Sequence, residues 1–200
     1  SYPIESKAVH KVIKVNSPLT YGSTKIYLQA NGYSPMVSIK DKTGKIEFEG
    51  AVPFLPQDGN LTSSGAIKLP DANPQIGIIG TFTPTYSMTN SKGAVSAFPE
   101  SLDPRLVFSV WSGNLGLDSG IPQSVYRVDT SKMTRIGLKS LKVGETYNFN
   151  EGSITFVGWK PWVNIEVGRD PGKLIALFGA LFAVMGLLAS LFIGHRKEEV

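Results

Sequence analysis

Along the first 170 residues, apolar positions recur in short alternating runs separated by Gly, Pro, Asn and Asp. This is the pattern of β-strands with one buried face. Val9–Val15 is rich in valine and isoleucine, and Lys25–Ala30 sets Ile26 and Leu28 against Tyr27 and Gln29. The clearest hairpin runs from Met36, Val37 and Ile39 through Asp41-Lys42-Thr43-Gly44 to Ile46 and Phe48. Gly44 stands where a left-handed residue fits the turn. Ala66–Leu69, Ile76–Thr83, Leu106–Trp111, Ser124–Val128, Thr146–Phe149, Ser153–Gly158 and Trp162–Val167 read as further strands, with Asn150-Glu151-Gly152 as a second turn. Pro53, Pro56, Pro70, Pro74, Pro99, Pro104 and Pro122 fall between these runs, as their missing N–H requires. Val52–Ser64 and Ser87–Pro104 read as long loops. The pattern predicts a mainly β fold, an antiparallel β-sandwich or barrel-like domain over residues 1–170.

The pattern changes at Leu174. The 20 residues from Leu174 to Ile193 carry no charge, and Ser190 is their only polar side chain. As a helix they span about 30 Å, the thickness of bilayer hydrocarbon. A helix that is apolar all round needs apolar surroundings on every side, which a β domain of this size does not supply. The sequence therefore predicts a transmembrane helix over 174–193 and a short tail over 194–200. Ala176, Gly179, Ala183, Gly186 and Ser190 fall at spacings of three or four, one small-residue stripe suited to close packing on another membrane helix. Trp159, Pro161 and Trp162 fit equally the headgroup level and the core of the last hairpin.

Charge adds little to this picture. The formal net charge is +4. The excess lies in residues 1–45, where seven lysines (Lys7, Lys11, Lys14, Lys25, Lys40, Lys42, Lys45) face only Glu5 and Asp41. A solvated strand face explains them, and attraction to anionic lipid headgroups is the functional alternative. No basic–aromatic module points to nucleic acid. Lys160, Arg169 and Lys173 precede the apolar run and Arg196 and Lys197 follow it, so charge does not orient the helix. The absence of cysteine removes disulfides, thiolate metal sites, iron–sulfur clusters and thiol nucleophiles. Two histidines, His10 and His195, do not make a multi-histidine metal site. The chain opens on Ser1 without an initiator Met or a signal peptide, and reads as part of a longer protein.

Two stretches carry a resemblance. The first is Val15-Asn16-Ser17-Pro18-Leu19-Thr20-Tyr21-Gly22 with Ile26-Tyr27-Leu28-Gln29 and Asn31-Gly32-Tyr33. The second is Val167-Gly168-Arg169-Asp170-Pro171-Gly172, running through the apolar segment to Ser190-Leu191-Phe192-Ile193-Gly194-His195-Arg196-Lys197. Between them lies Val52-Pro53-Phe54-Leu55-Pro56-Gln57-Asp58. Together they resemble the C-terminal part of the ResB family of cytochrome c biogenesis proteins, in the form found in actinobacteria and relatives. The resemblance implies a multi-pass membrane protein with a large extracytoplasmic domain before its last helix. It implies a ResC/CcsA-type membrane partner, with which haem is moved across the cell membrane and presented to apocytochrome c. A thioredoxin-like protein keeps the acceptor cysteines reduced. On this basis residues 1–170 are expected outside the cell membrane, and the chain from His195 on the cytoplasmic side. The subunit is expected to be non-catalytic, with haem b belonging to the full complex. The family's earlier helices lie outside this chain, and its end, Glu198-Glu199-Val200, is shorter than the basic and aromatic tail expected.

Haem iron takes an axial His, Met, Cys or Tyr. His10, Met36, Met88, Met133 and His195 are therefore weighed as ligands, against the simpler roles of exposed strand residue, packing residue and interfacial anchor. Neither a catalytic set nor a cofactor-binding set emerges. Asp58, Asp103, Asp118 and Asp129 are flanked by turn residues and are expected to cap turns. Asn60-Leu61-Thr62 matches a glycosylation acceptor, or a plain polar loop. The competing reading is a single-helix-anchored surface binding or adhesion protein with a β ectodomain. A sortase anchor is disfavoured, because Gly168-Arg169-Asp170-Pro171-Gly172 stands where L-P-x-T-G would be. A membrane-tethered enzyme is the weakest alternative.

Overall fold

The computed structural model describes residues 11–14, 16–91, 93–117, 120, 122–169 and 171–194. In chain order these form β1 (Leu19–Tyr21), β2 (Thr24–Asp41), β3 (Ile46–Ala51), β4 (Leu55–Pro56), β5 (Ser63–Leu69) and β6 (Ile76–Thr83). There follow β7 (Tyr86–Thr89), β8 (Gly93–Ser96), β9 (Arg105–Gly113), β10 (Met133–Lys142), β11 (Thr146–Phe149), β12 (Gly152–Arg169) and α1 (Lys173–Gly194). One five-stranded sheet runs β1-β2-β12-β11 with β3 also on β2, a second runs β10-β9-β6-β5-β4, and β7 pairs with β8. The paired strands are antiparallel. The chain forms two compact units, Ser1–Gln29 with Asn164–Val200, and Ala30–Val163.

The Ala30–Val163 unit is a β-sandwich. Alternate residues of each strand turn inward: Leu106, Phe108 and Val110 on β9, Val37 and Ile39 on β2, Ile154 and Phe156 on β12. They join Ile67, Leu69, Ile76, Ile78, Phe82 and Leu141 in one core. Each fully buried side chain of this size contributes about 1.5–3 kcal/mol. The β2–β3 hairpin is the one expected. The Asp41 carboxylate accepts from the Thr43 and Lys45 N–H groups at 2.8 and 2.9 Å, and Gly44 takes φ +88°. A register shift between Ile39 and Lys40 makes a bulge at its end.

In the other unit, β1 and β2 form a hairpin around Gly22 (φ +58°), pairing Leu19 with Ile26 and Tyr21 with Thr24. Gln29 Nε2 on β2 donates to the Glu166 carboxylate on β12. The helix α1 follows β12 after a short turn, and its first bond runs from the Ala176 N–H to the Gly172 carbonyl at 2.9 Å.

The structure departs from the sequence pattern in several places. Lys11–Lys14 is not a strand; only an isolated bridge joins Lys14 to Ser17, and residues 9, 10 and 15 lie outside the described residues. Ser124–Val128 is not a strand either. Side chains serve its backbone: Lys68 Nζ donates to the Ser124 carbonyl and the Ser124 hydroxyl accepts from the Tyr126 N–H, while just before it Gln123 Nε2 donates to the Leu115 and Gly116 carbonyls. Ser153–Gly158 and Trp162–Val167 are one strand, β12, which runs through Pro161. β10 was not foreseen, and Ser87–Pro104 contains most of the β7–β8 hairpin. Val52–Ser64 contains the short edge strand β4.

Candidate functional site

The one described helix long and apolar enough to cross a membrane is α1, with mean hydropathy 2.4 over Ile175–Phe192 and none of that window buried. Leu177, Phe178, Leu181, Val184, Leu188 and Phe192 are all exposed, so every side of the helix presents hydrocarbon. A helix with this surface is stable in lipid and not in water. On its small-residue stripe, a Cβ added at Gly179 or Gly186 would meet no atom within 4 Å. The backbone there is open to close approach.

At the start of α1 lies a cleft of about 380 Å³, lined by Ser23, Lys25, Tyr27, Gly168, Arg169 and Lys173. The β1–β2 turn and β2 supply the first three, the end of β12 the next two, and the first helical residue the last. Three cations line it and no described acid does.

The sandwich unit has two further clefts. One, of about 480 Å³, is lined by residues of mixed charge, among them Lys40, Asp41, Lys42, Asp71 and Glu151. Hydrogen bonds hold the Asp41 carboxyl below its usual range, first that from the Thr43 hydroxyl and then those from the Lys45 and Thr43 N–H groups. The other, of about 520 Å³, lies between Asn114–Gly116 and Gln123–Lys132. Asp129 caps its turn by accepting from the Ser131 N–H at 2.9 Å, and that bond lowers its pKa. Among the described residues, no group of three or more His, Asp or Glu side chains is placed to hold a metal ion.

The candidate haem ligands do not converge. Met36 is half-buried on β2, Met88 is exposed on β7 and Met133 opens β10. None of the three lines any of these clefts. His10 and His195 lie outside the described residues, as does Asp118. Asp58 caps a turn as expected, accepting from the Asn60 and Thr62 N–H groups at 3.0 and 2.9 Å. Asp103 does not: its carboxylate holds the Arg105 guanidinium at 3.2 Å, which in turn stacks on the Tyr86 ring. Asn60 Nδ2 donates to the Ser96 carbonyl at 3.2 Å, so this loop ties the β7–β8 hairpin to the sandwich. Trp159 and Trp162 belong to the packing of the sandwich unit. Trp159 meets Tyr33 edge-on at 5.0 Å, and Trp162 Nε1 donates to the Tyr33 and Phe54 carbonyls, each at 3.2 Å. Burial, and next the charge of Glu100, push the Tyr33 hydroxyl pKa up, and that hydroxyl donates to the Pro99 carbonyl at 3.0 Å. The basic cleft was missed in the sequence because its cations are far apart in the chain; only the lysine excess near the start and the bases before the helix hinted at it.

The family model that matches the chain is that of the ResB-like family, over residues 3–198. No curated protein and no solved structure gives a significant match.

Proposed function

The chain belongs to the ResB-like family, and from that premise we propose that it is the extracytoplasmic β portion and last membrane helix of a subunit that assists haem delivery to apocytochrome c. In general terms the family makes it a membrane subunit of cytochrome c biogenesis, an assembly component. The finer reading has the sandwich outside the cell membrane and the chain beyond α1 in the cytoplasm. Its membrane partner is of the ResC/CcsA type, and the small-residue stripe of α1 is the surface offered to it. Haem is cargo here, passed on to the acceptor, with a thioredoxin-like protein keeping the acceptor thiols reduced. The observation that carries the reading is the family match across nearly the whole chain, supported by an apolar helix left exposed on every side. An anchored adhesin would share the sandwich and the helix, but not the family.

The test is deletion of the gene followed by haem staining of membrane proteins. Covalent c-type cytochromes disappear in the deletion strain and return on complementation with the full-length gene. Undiminished staining in the deletion strain overturns the proposal.

A further inference from the structure

We propose that the cleft at the start of α1 is a binding site for the phosphate of an anionic phospholipid headgroup. Lys25 reaches it from β2, Arg169 from the last residue of β12 and Lys173 from the first residue of the helix. Three chain segments thus bring three cations around one cavity of about 380 Å³. Among the described residues none of the three has an ion-pair partner, whereas Lys45 and Arg105 each do. Glu166, the acid on the neighbouring part of β12, is engaged by Gln29 and does not line the cavity. Like charges converging with no counter-ion among the described residues repel one another, and an anion in the cavity relieves that repulsion.

The helix says which anion. The apolar window begins at Ile175, two residues after Lys173. With α1 in the bilayer, a cation at the head of an apolar run that begins at Leu174 stands at the interfacial level, where lipid phosphates lie. Arg169 offers a planar fork that matches two phosphate oxygens, the two lysines offer point charges, and the Tyr27 side chain brings an amphipathic ring of the kind that sits at this depth. Gly168 lines the cavity with room to spare: a Cβ there would meet no atom within 4 Å, and its φ is outside the left-handed region. A large side chain at Gly168 therefore fills the cleft while leaving all three charges in place. The proposal rests on α1 lying in the bilayer and not on haem delivery, so the two fail separately.

The experiment is native mass spectrometry of the full chain released from bilayer discs of phosphatidylcholine mixed with phosphatidylglycerol. The wild type retains phosphatidylglycerol in preference to phosphatidylcholine. Lys25→Gln and Arg169→Gln each lower that retention roughly fivefold. Gly168→Leu lowers it as well, without a change of charge. Lys139→Gln, which removes an exposed cation on β10, leaves it unchanged. Circular dichroism of each variant checks that the fold is kept. Equal retention by wild type and Arg169→Gln overturns the proposal, as does an equal loss in Lys139→Gln, which reduces the effect to net charge. Displacement of the lipid by millimolar inorganic phosphate assigns the site to free anions and overturns the lipid reading.

Discussion

The ring of Phe54 packs against Gly80, 3.0 Å from where a Cβ would stand. Gly80 pairs across the sheet with Gly65, and a Cβ at Gly65 would clash with the same ring. Two facing glycines on β5 and β6 thus make a slot, and Phe54, 1% exposed, fills it. An aromatic ring laid over paired glycines restores the packing that a side-chain-free stretch of sheet lacks.

Gly65→Ala is therefore expected to destabilise the protein by about 1–3 kcal/mol through overpacking. Phe54→Leu alone also destabilises, by opening space. The two are not independent: with Phe54→Leu in place, Gly65→Ala costs less than it does alone. Thermal melts of the four proteins in detergent, followed by circular dichroism, give the cycle. Strict additivity of the two changes contradicts the slot.

Trp162 makes a second close approach. A Cβ at Gly32 would stand 2.8 Å from the indole, whose Nε1 is shared between two carbonyls. Trp162→Phe keeps much of the ring and removes the donor. The Tyr33 carbonyl retains the Phe54 N–H at 3.2 Å, so the Phe54 carbonyl bears most of the loss. A cost of about 1–3 kcal/mol is expected, read as a lower denaturation midpoint. Gly32→Ala should be better tolerated in the Trp162→Phe background than in the wild type. A midpoint unmoved by Trp162→Phe shows that the indole bond contributes nothing.

The elements legible in the sequence are those whose strands have one buried and one wetter face. β9 buries Leu106, Phe108 and Val110 in strict alternation, and the corresponding apolar period is plain in the sequence. The membrane helix is legible from length and composition alone. β10 was not, because an edge strand is wet on most positions: Arg135, Lys139 and Lys142 interrupt it, and only Leu141 is fully buried. Each of the two 18-residue strands reads as two runs in the sequence, one split between Ala30 and Met36 and the other between Gly158 and Trp162, with Pro35 and Pro161 in the gaps. β11 pairs β12 only over Gly152–Thr155, so further along one flank of β12 has no strand neighbour among the described residues, and a proline is tolerated there. Pro35 in β2 stands at the end of the β3 ladder, where its carbonyl accepts from Val52 and no N–H is needed. Ser124–Val128 has strand-like residues, but in place of a ladder Lys68 Nζ holds the Ser124 carbonyl and the Ser124 hydroxyl accepts from the Tyr126 N–H. The basic cleft depends on tertiary placement, which no local pattern reports.

Asp41 and Asp129 predict the acid response. Both carboxyls are held below their ordinary value of 3.8 by hydrogen bonds that exist in the fold. Their folded pKa values are lower than the unfolded ones, so their contribution is complete above the unfolded value and fades as pH falls through the folded one. The melting temperature should therefore drop below about pH 4. Asp41→Asn with Asp129→Asn should flatten that limb, because neither group then takes up a proton. Melting curves between neutral and strongly acidic pH compare the slopes. Equal slopes in wild type and double variant mean that other carboxyls set the acid limit.

The stripe on α1 gives the last prediction. Gly179, Ala183 and Gly186 recur at four and three residues along one side of a helix whose other sides carry Leu, Phe and Ile. In lipid there is no hydrophobic gain from bringing helices together, so association depends on close backbone packing, which small residues permit. Gly179→Leu and Gly186→Leu add bulk where the helix is open, without altering its apolarity or its length. Insertion into the membrane should be unchanged, while co-purification of the proposed ResC/CcsA-type partner falls. Leu181→Phe, on the opposite side of the helix, serves as the control and should leave the proposed partner bound. If the glycine variants hold the partner as firmly as the wild type, the helix is an anchor and nothing more, and the contact between subunits is made elsewhere.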